Sequence, residues 1–242
     1  MRVAVLSDIH ANLPALDAVL ADVRGETPDE VWCLGDVVGY GASPNECCAG
    51  IRELADLMLC GNHDLAVLGA LEVAEFTGDA ADAARWTQGV LKAAHRDWLA
   101  ELEPVGERPG VELFHGSPRD PVWDYVLSEE VALASLELTS APLILVGHSH
   151  VALALAGDGA GVEGGLAPGG SEIELGGRRR LLNPGSVGQP RDGDARAAWL
   201  LVDFDAARAA FHRVPYDIEA AQAAIRAAGL PDALADRLAV GI

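Results

Sequence analysis

The chain has 242 residues, 50% of them apolar and 22% charged, with a formal net charge of −20. That length and composition leave room for a substantial core and exclude a disordered chain. The acidic balance excludes non-specific binding to nucleic acid, which needs a basic surface, but not a phosphorylated substrate, because bound divalent cations invert the local sign.

Val3 to Ser7 is an apolar run too short for a helix and reads as a buried strand. Leu13, Leu16, Val19, Leu20 and Val23 then recur at helical spacing, with Asn12 as cap and Pro14 in the first turn; Gly25 and Pro28 close the unit. Glu30 to Leu34 is a second strand, ending at Gly35-Asp36. Ser43-Pro44-Asn45-Glu46 resembles a capping box and opens a helix to about Leu54. A third strand, Asp56 to Cys60, ends at Gly61-Asn62. Residues 65–103 are Ala-rich and helical, with Trp86, Val90, Leu91 and Trp98 as inward candidates. They read as a helical insertion, placed to serve as a lid, within one domain spanning 1–242.

Val111 to Phe114 is a fourth strand before His115-Gly116, Ser128 to Leu138 a short helix, and Leu143 to Val146 a fifth strand before Gly147-His148. After His150 the texture changes. Val151 to Ala156, Glu172 to Leu175, Arg180 to Leu182, Ala197 to Asp203 and Arg208 to Val214 read as strands, with a flexible glycine-rich loop over 157–170. Their short connections predict a largely antiparallel sheet. Residues 218–240 form a terminal helical segment interrupted near Gly229-Leu230-Pro231. Strand–helix alternation followed by meandering strands suggests an α/β fold of two stacked sheets flanked by helices.

The longest apolar run, Ala141 to Ala156, contains His148 and His150 and does not suit a bilayer. The start lacks a basic leader, so the expected location is cytoplasmic, without a membrane partner. Cys33, Cys47, Cys48 and Cys60 lack paired zinc-finger spacing and read as reduced, buried thiols.

Five short segments carry the chemistry: Ser7-Asp8-Ile9-His10, Gly35-Asp36, Gly61-Asn62-His63-Asp64, His115-Gly116 and Gly147-His148-Ser149-His150. Each is weak alone. Each also falls just past an apolar strand, at the edge where open α/β sheets bind ligands. Five of the seven histidines lie in them, leaving His95 and His212 elsewhere. Together they point to a dinuclear metal site.

In this order the segments resemble the calcineurin-like metallophosphoesterases, specifically their small bacterial and archaeal members. The resemblance runs from Arg2 to about Val214 and implies a four-layer α/β/β/α sandwich of two mixed sheets, with metals at the C-terminal ends of strands. It also implies a ligand set. Asp8, His10 and His150 hold one ion, Asn62, His115 and His148 the other, and Asp36 bridges them. Two cations roughly 3.5–4 Å apart repel unless an anion lies between them, which makes a bridging carboxylate sensible. A nitrogen and oxygen set without thiolate suits two divalent transition-metal ions, Mn, Fe, Co, Ni or Zn, more than Ca or Mg.

The activity implied is hydrolysis of a phosphoester by a bridging hydroxide attacking in line. His63 is the family's non-ligand histidine, expected on the leaving-group side. Asp64 is expected to hold its other ring nitrogen, the alternative being a plain carboxylate at a helix start. Arg119 and Arg191, in loops after site strands, are candidates for phosphate contact or ordinary solvated arginines. Trp123 and Tyr125 either stack on an aromatic group or pack internally. Asn183-Pro184-Gly185-Ser186 turns near the metals or is a simple strand end, and Arg178-Arg179-Arg180 reads as a solvated turn.

The pattern departs from the family's protein phosphatases at one point. They carry an Asp-Arg pair soon after the bridging aspartate, whereas Asp36 here precedes Val37-Val38-Gly39-Tyr40. The favoured substrate is therefore a small phosphodiester or nucleotide-type compound. The alternatives are a phosphomonoester or phosphoprotein, and a non-catalytic metal-binding scaffold.

Overall fold

The computed structural model describes residues 1–158 and 161–242. Its first half alternates strands and helices: β1 (Arg2–Leu6), α1 (Leu13–Glu26), β2 (Glu30–Cys33), α2 (Pro44–Arg52), β3 (Leu57–Met58) and α3 (Asn62–Leu68). Then come α4 (Gly78–Val90), α5 (Ala93–Leu99), β4 (Val105–Arg108), β5 (Val111–Phe114), α6 (Glu129–Leu138) and β6 (Leu143–Val146). The remainder is β7 (Leu153–Gly157), β8 (Val162–Leu166), β9 (Glu172–Glu174), β10 (Arg179–Asn183), β11 (Ala197–Asp203), β12 (Arg208–Val214), α7 (Ile218–Ala227) and α8 (Asp232–Asp236).

These strands form two sheets in the orders β3-β2-β1-β11-β12-β9 and β4-β5-β6-β10-β7-β8. Both are mixed: β1/β2, β2/β3, β5/β6 and β6/β10 pair in parallel, the other neighbours antiparallel. The layering follows from the two-residue alternation of strand side chains. Val3 and Val5 of β1 point between the sheets with Trp32, Leu113, Leu145, Leu182 and Leu200. Ala4 and Leu6 point the other way, onto Leu16, Val19 and Val23 of α1. Likewise Ile144 and Val146 of β6 meet Ala132 and Leu136 of α6. The result is helix, sheet, sheet, helix. Among the described residues no helix is long and apolar enough to cross a membrane.

Several expectations need correction. The late strands do not form one antiparallel sheet; they divide between the two, and β10 pairs parallel with β6. The loop expected over 157–170 contains β8, paired along β7, while Gly159 and Ala160 lie outside the described residues. The helical stretch 65–103 holds the end of α3, a short 3-10 turn at Val73–Glu75, and the helices α4 and α5. Leu91 and Trp98 face inward, but Trp86 is half-buried and Val90 is 40% exposed. α2 starts at Pro44, yet the Ser43 side chain makes no capping bond. Arg179 is no solvated turn residue. Its guanidinium donates to the carbonyls of Leu136 and Ala141 and to Thr139, occupying the end of α6. All four cysteines are free and buried.

Candidate metal centre

The backbone beyond each strand turns sharply enough to put non-glycine residues in the left-handed region. Asp8, His10, Asp36, His148 and His150 have φ of 55°, 48°, 54°, 63° and 58°. Such strain persists only where surroundings over-determine it, and it collects at functional sites. Here the turns brace one another: the Asp8 amide donates to Gly35 O at 3.0 Å, that of His10 to Asp36 O at 2.9 Å, and that of Gly147 to His115 O at 2.8 Å. Gly61 is required by space. A Cβ there would stand 2.1 Å from Asp36 Oδ1 and 2.6 Å from the His115 ring.

The side chains then converge with their acceptor atoms inward. His10 Nδ1 donates to Val38 O at 3.1 Å, His115 Nδ1 to Leu34 O at 2.9 Å, and His150 Nδ1 to Gln189 O at 2.6 Å. Those bonds leave each Nε2 without a proton. Yet the Nε2 atoms of His10 and His150 lie 2.9 Å apart, and that of His115 lies 3.2 Å from Asn62 Oδ1. Two lone pairs at that distance repel unless both point at a shared cation. His148 is turned the other way: its Nε2 donates to Trp123 O at 3.2 Å, which frees Nδ1. Asp8 Oδ1 and Asp36 Oδ2 are buried with no hydrogen-bond partner. The latter lies 3.6 Å from His10 Nε2 and 3.5 Å from His115 Nε2.

Three overlapping groups therefore have the spacing of metal ligands: Asp8, His10 and His150; His10, Asp36 and His63; Asp36, His115 and His148. Burial pushes the Asp8 carboxyl up to about 7, and burial followed by the neighbouring Asp64 holds Asp36 well above the usual carboxylate range. It also depresses His10 and His150 strongly, and His148 to about 2. Buried neutral imidazoles around carboxylate oxygens that have no hydrogen-bond partner fit a cation.

His63 is buried, its ring 4.9 Å from that of His10, and burial lowers it to about 3, with Arg191 adding repulsion. Its Nδ1 has no partner. The expectation that Asp64 orients this ring is not met. Asp64 instead accepts the amides of Gly61, Val37 and Val38 at 3.0, 3.3 and 3.1 Å. The alternative reading of a carboxylate at a helix start describes its contacts, with the addition that it ties two site loops together.

The two arginines differ. Arg119 is committed to Asp124 through Nε at 2.9 Å and Nη2 at 2.8 Å. Arg191 reaches Tyr40 Oη at 3.3 Å and Gln189 Oε1 at 2.8 Å, and its charge acts on Asp8, Asp36, His10, His63 and His150. Its Nε is buried without a partner.

Of the aromatics, Tyr125 stacks on His148 at 4.1 Å and 11° and is 44% exposed, while Trp123 packs on Phe76 at 5.0 Å. The Asn183–Ser186 turn does lie by the site: Asn183 Nδ2 donates to Gly147 O at 2.7 Å and Ser186 Oγ to Asp8 O at 2.8 Å. Sequence reasoning missed Tyr40 and Phe76, whose rings lie 4.3 and 4.9 Å from that of His63. The signal for Tyr40 was a bulky residue between two glycines just beyond Asp36. Nothing in the sequence marked Phe76.

Comparison with known proteins shows the family and the fold. Residues 1–207 match the family model of the calcineurin-like phosphoesterase superfamily domain. An uncharacterised protein of Methanocaldococcus jannaschii is 38% identical over 245 residues, covering 99% of this chain and 98% of that one. A crystal structure of a metallophosphoesterase from Sphaerobacter thermophilus superposes with a TM-score of 0.91 at 41% identity, covering 100% of this chain and 99% of that one. A hypothetical protein from Pyrococcus horikoshii shares the fold, with a TM-score of 0.78 at 21% identity over 100% and 98% of the two chains.

Proposed function

Because the chain belongs to the calcineurin-like phosphoesterase superfamily, we propose that it hydrolyses a small phosphodiester or nucleotide-type substrate with two divalent transition-metal ions. Asp8, His10 and His150 would hold one ion, Asn62, His115 and His148 the other, and Asp36 would serve both. The supporting observation is the set of unprotonated nitrogens and partnerless carboxylate oxygens that share one buried space. Manganese, iron, cobalt, nickel or zinc suits such a set.

Bound there, the ions supply a water of lowered pKa and neutralise charge on the phosphoryl oxygens. The chain's own residues do the rest. Arg191, with one guanidinium nitrogen unpaired and the site within reach of its charge, grips a phosphoryl oxygen. That role replaces the arginine missing after Asp36. Arg119, tied to Asp124, takes no part. His63 faces the leaving group and stabilises its developing charge, held by the rings of Tyr40 and Phe76 and not by a carboxylate.

The test is hydrolysis of bis-p-nitrophenyl phosphate and p-nitrophenyl phosphate by purified protein loaded with Mn²⁺ or Ni²⁺. Metal-dependent turnover with the diester faster is expected. Metal binding without hydrolysis of either ester would make the protein a scaffold.

A further inference from the structure

Beside the metal centre lies a cleft of 780 Å³, and Tyr40 is the wall between the two. On one side the Tyr40 ring meets His10 edge-on at 4.7 Å and His63 at 4.3 Å. The same residue also lines the cleft, together with Asp79 and Ala80 at the start of α4 and Ala233, Asp236 and Arg237 around α8. The cleft thus opens between the 65–103 helices and the C-terminal helices, with Tyr40 between it and His63.

Tyr40 is placed there at a conformational cost. It has φ of 58°, rare for a bulky side chain, and follows Gly39 at φ 90°. Gly39 has no room for a Cβ, which would lie 2.5 Å from His63 Nδ1, and one at Gly41 would lie 2.3 Å from His10 O. The loop is therefore built around the two histidines, and its one large side chain is directed between them and the cleft. Strain of this sort is kept where position matters.

We propose that this cleft binds the organic group of the substrate, that Tyr40 determines its specificity, and that the group is an uncharged, nucleoside-sized body carrying hydrogen-bond donors. This rests on the phosphoesterase reading above. Volume sets the size: 780 Å³ lies within the range of clefts that enclose whole small molecules and far exceeds what a phosphate needs. Charge sets the class. Asp236 is paired with Arg226, and Arg237 already donates through Nε to Ile242 O at 2.6 Å, which leaves the Asp79 carboxylate to meet a ligand. Burial and then repulsion from Arg191 lower Arg237, and Arg191 keeps its unpartnered Nε on the side of the metal centre. Amino and hydroxyl hydrogens suit Asp79, whereas a second phosphate does not. The substrate is thus a diester with one phosphate, not a dinucleoside polyphosphate.

The experiment compares Mn²⁺-loaded wild type with Ala233→Trp, an exposed α8 position remote from the ligands. Substrates are methyl p-nitrophenyl phosphate, thymidine 5′-(p-nitrophenyl phosphate) and diadenosine tetraphosphate. For wild type the thymidine ester is expected to show a kcat/KM at least tenfold above the methyl ester and above the tetraphosphate. Ala233→Trp should raise KM for the thymidine ester about tenfold and leave the methyl ester and the metal content unchanged. Equal kcat/KM for the two monophosphate diesters, or an unaltered KM in the variant, overturns the cleft assignment alone. Preference for the tetraphosphate overturns the single-phosphate class. Absence of metal-dependent hydrolysis of the methyl ester overturns the phosphoesterase reading itself.

Discussion

At the scale of single residues, hydrogen bonds donated to backbone carbonyls decide which imidazole nitrogen is available. Carbonyls of Val38, Leu34 and Gln189 hold Nδ1 protons on His10, His115 and His150, so these ligands need no rearrangement to accept a cation. His63 has no such bond and is positioned by packing alone. Replacing it by Ala should lower kcat roughly 10²–10⁴-fold with metal content intact, since the role assigned to it is leaving-group stabilisation. Elemental analysis beside steady-state kinetics checks this, and loss of metal would instead make His63 a ligand with His10 and Asp36. Protons compete with metal at Asp8, whose carboxyl titrates near 7 when the site holds no cation. Below that pH the group is neutral and an ion bound by Asp8 must displace a proton; above it the carboxylate is free. Metal affinity measured by titration calorimetry should accordingly rise with pH through 7. The residue types of the candidate site and their order were legible in the sequence, and the structure brings those side chains together. The partner of Asp64 was not, because its carboxylate is satisfied by amides of Val37 and Val38, far away in the chain.

At the scale of elements, α1 illustrates how a local signal reaches the site. Asn12 Oδ1 accepts the Ala15 amide at 3.2 Å as a helix cap, while its Nδ2 donates to Gly188 O at 2.8 Å. The residue that starts the helix also holds the loop carrying Gln189 and Arg191. Asn12→Ala should cost about 0.5–2 kcal/mol in urea unfolding for the cap, somewhat more for the buried carbonyl left behind. It should also raise KM through Arg191. Helix periodicity and strand runs were readable because amphipathic patterns are local. The hairpin of β7 and β8 was not, since Gly164 and Gly165 in β8 carry no alternating pattern. Arg179 looked solvated because its acceptors at the end of α6 are some forty positions earlier in the chain.

Across the whole molecule, one ionic contact joins parts of both sheets. Arg213 of β12 pairs with Asp192, whose Oδ2 also accepts the Ala152 amide just before β7 at 3.2 Å. Both side chains are buried, 3% and 7% exposed. Arg213→Met leaves Asp192 charged and uncompensated, and should destabilise the protein by about 3–5 kcal/mol in denaturant unfolding. The double variant Arg213→Met/Asp192→Asn should recover part of that loss. The sequence alone determined the two-sheet α/β class, the order of the candidate metal-binding segments and the helices that flank them, because each is written in short-range periodicity and residue type. Tertiary structure alone decided which late strand joined which sheet, which arginine lies beside the candidate metal centre, and how Tyr40 separates that centre from a cleft. Those outcomes depend on contacts between residues distant in the chain, where burial and hydrogen-bond satisfaction across the assembled layers select one arrangement from several that local patterns allow equally.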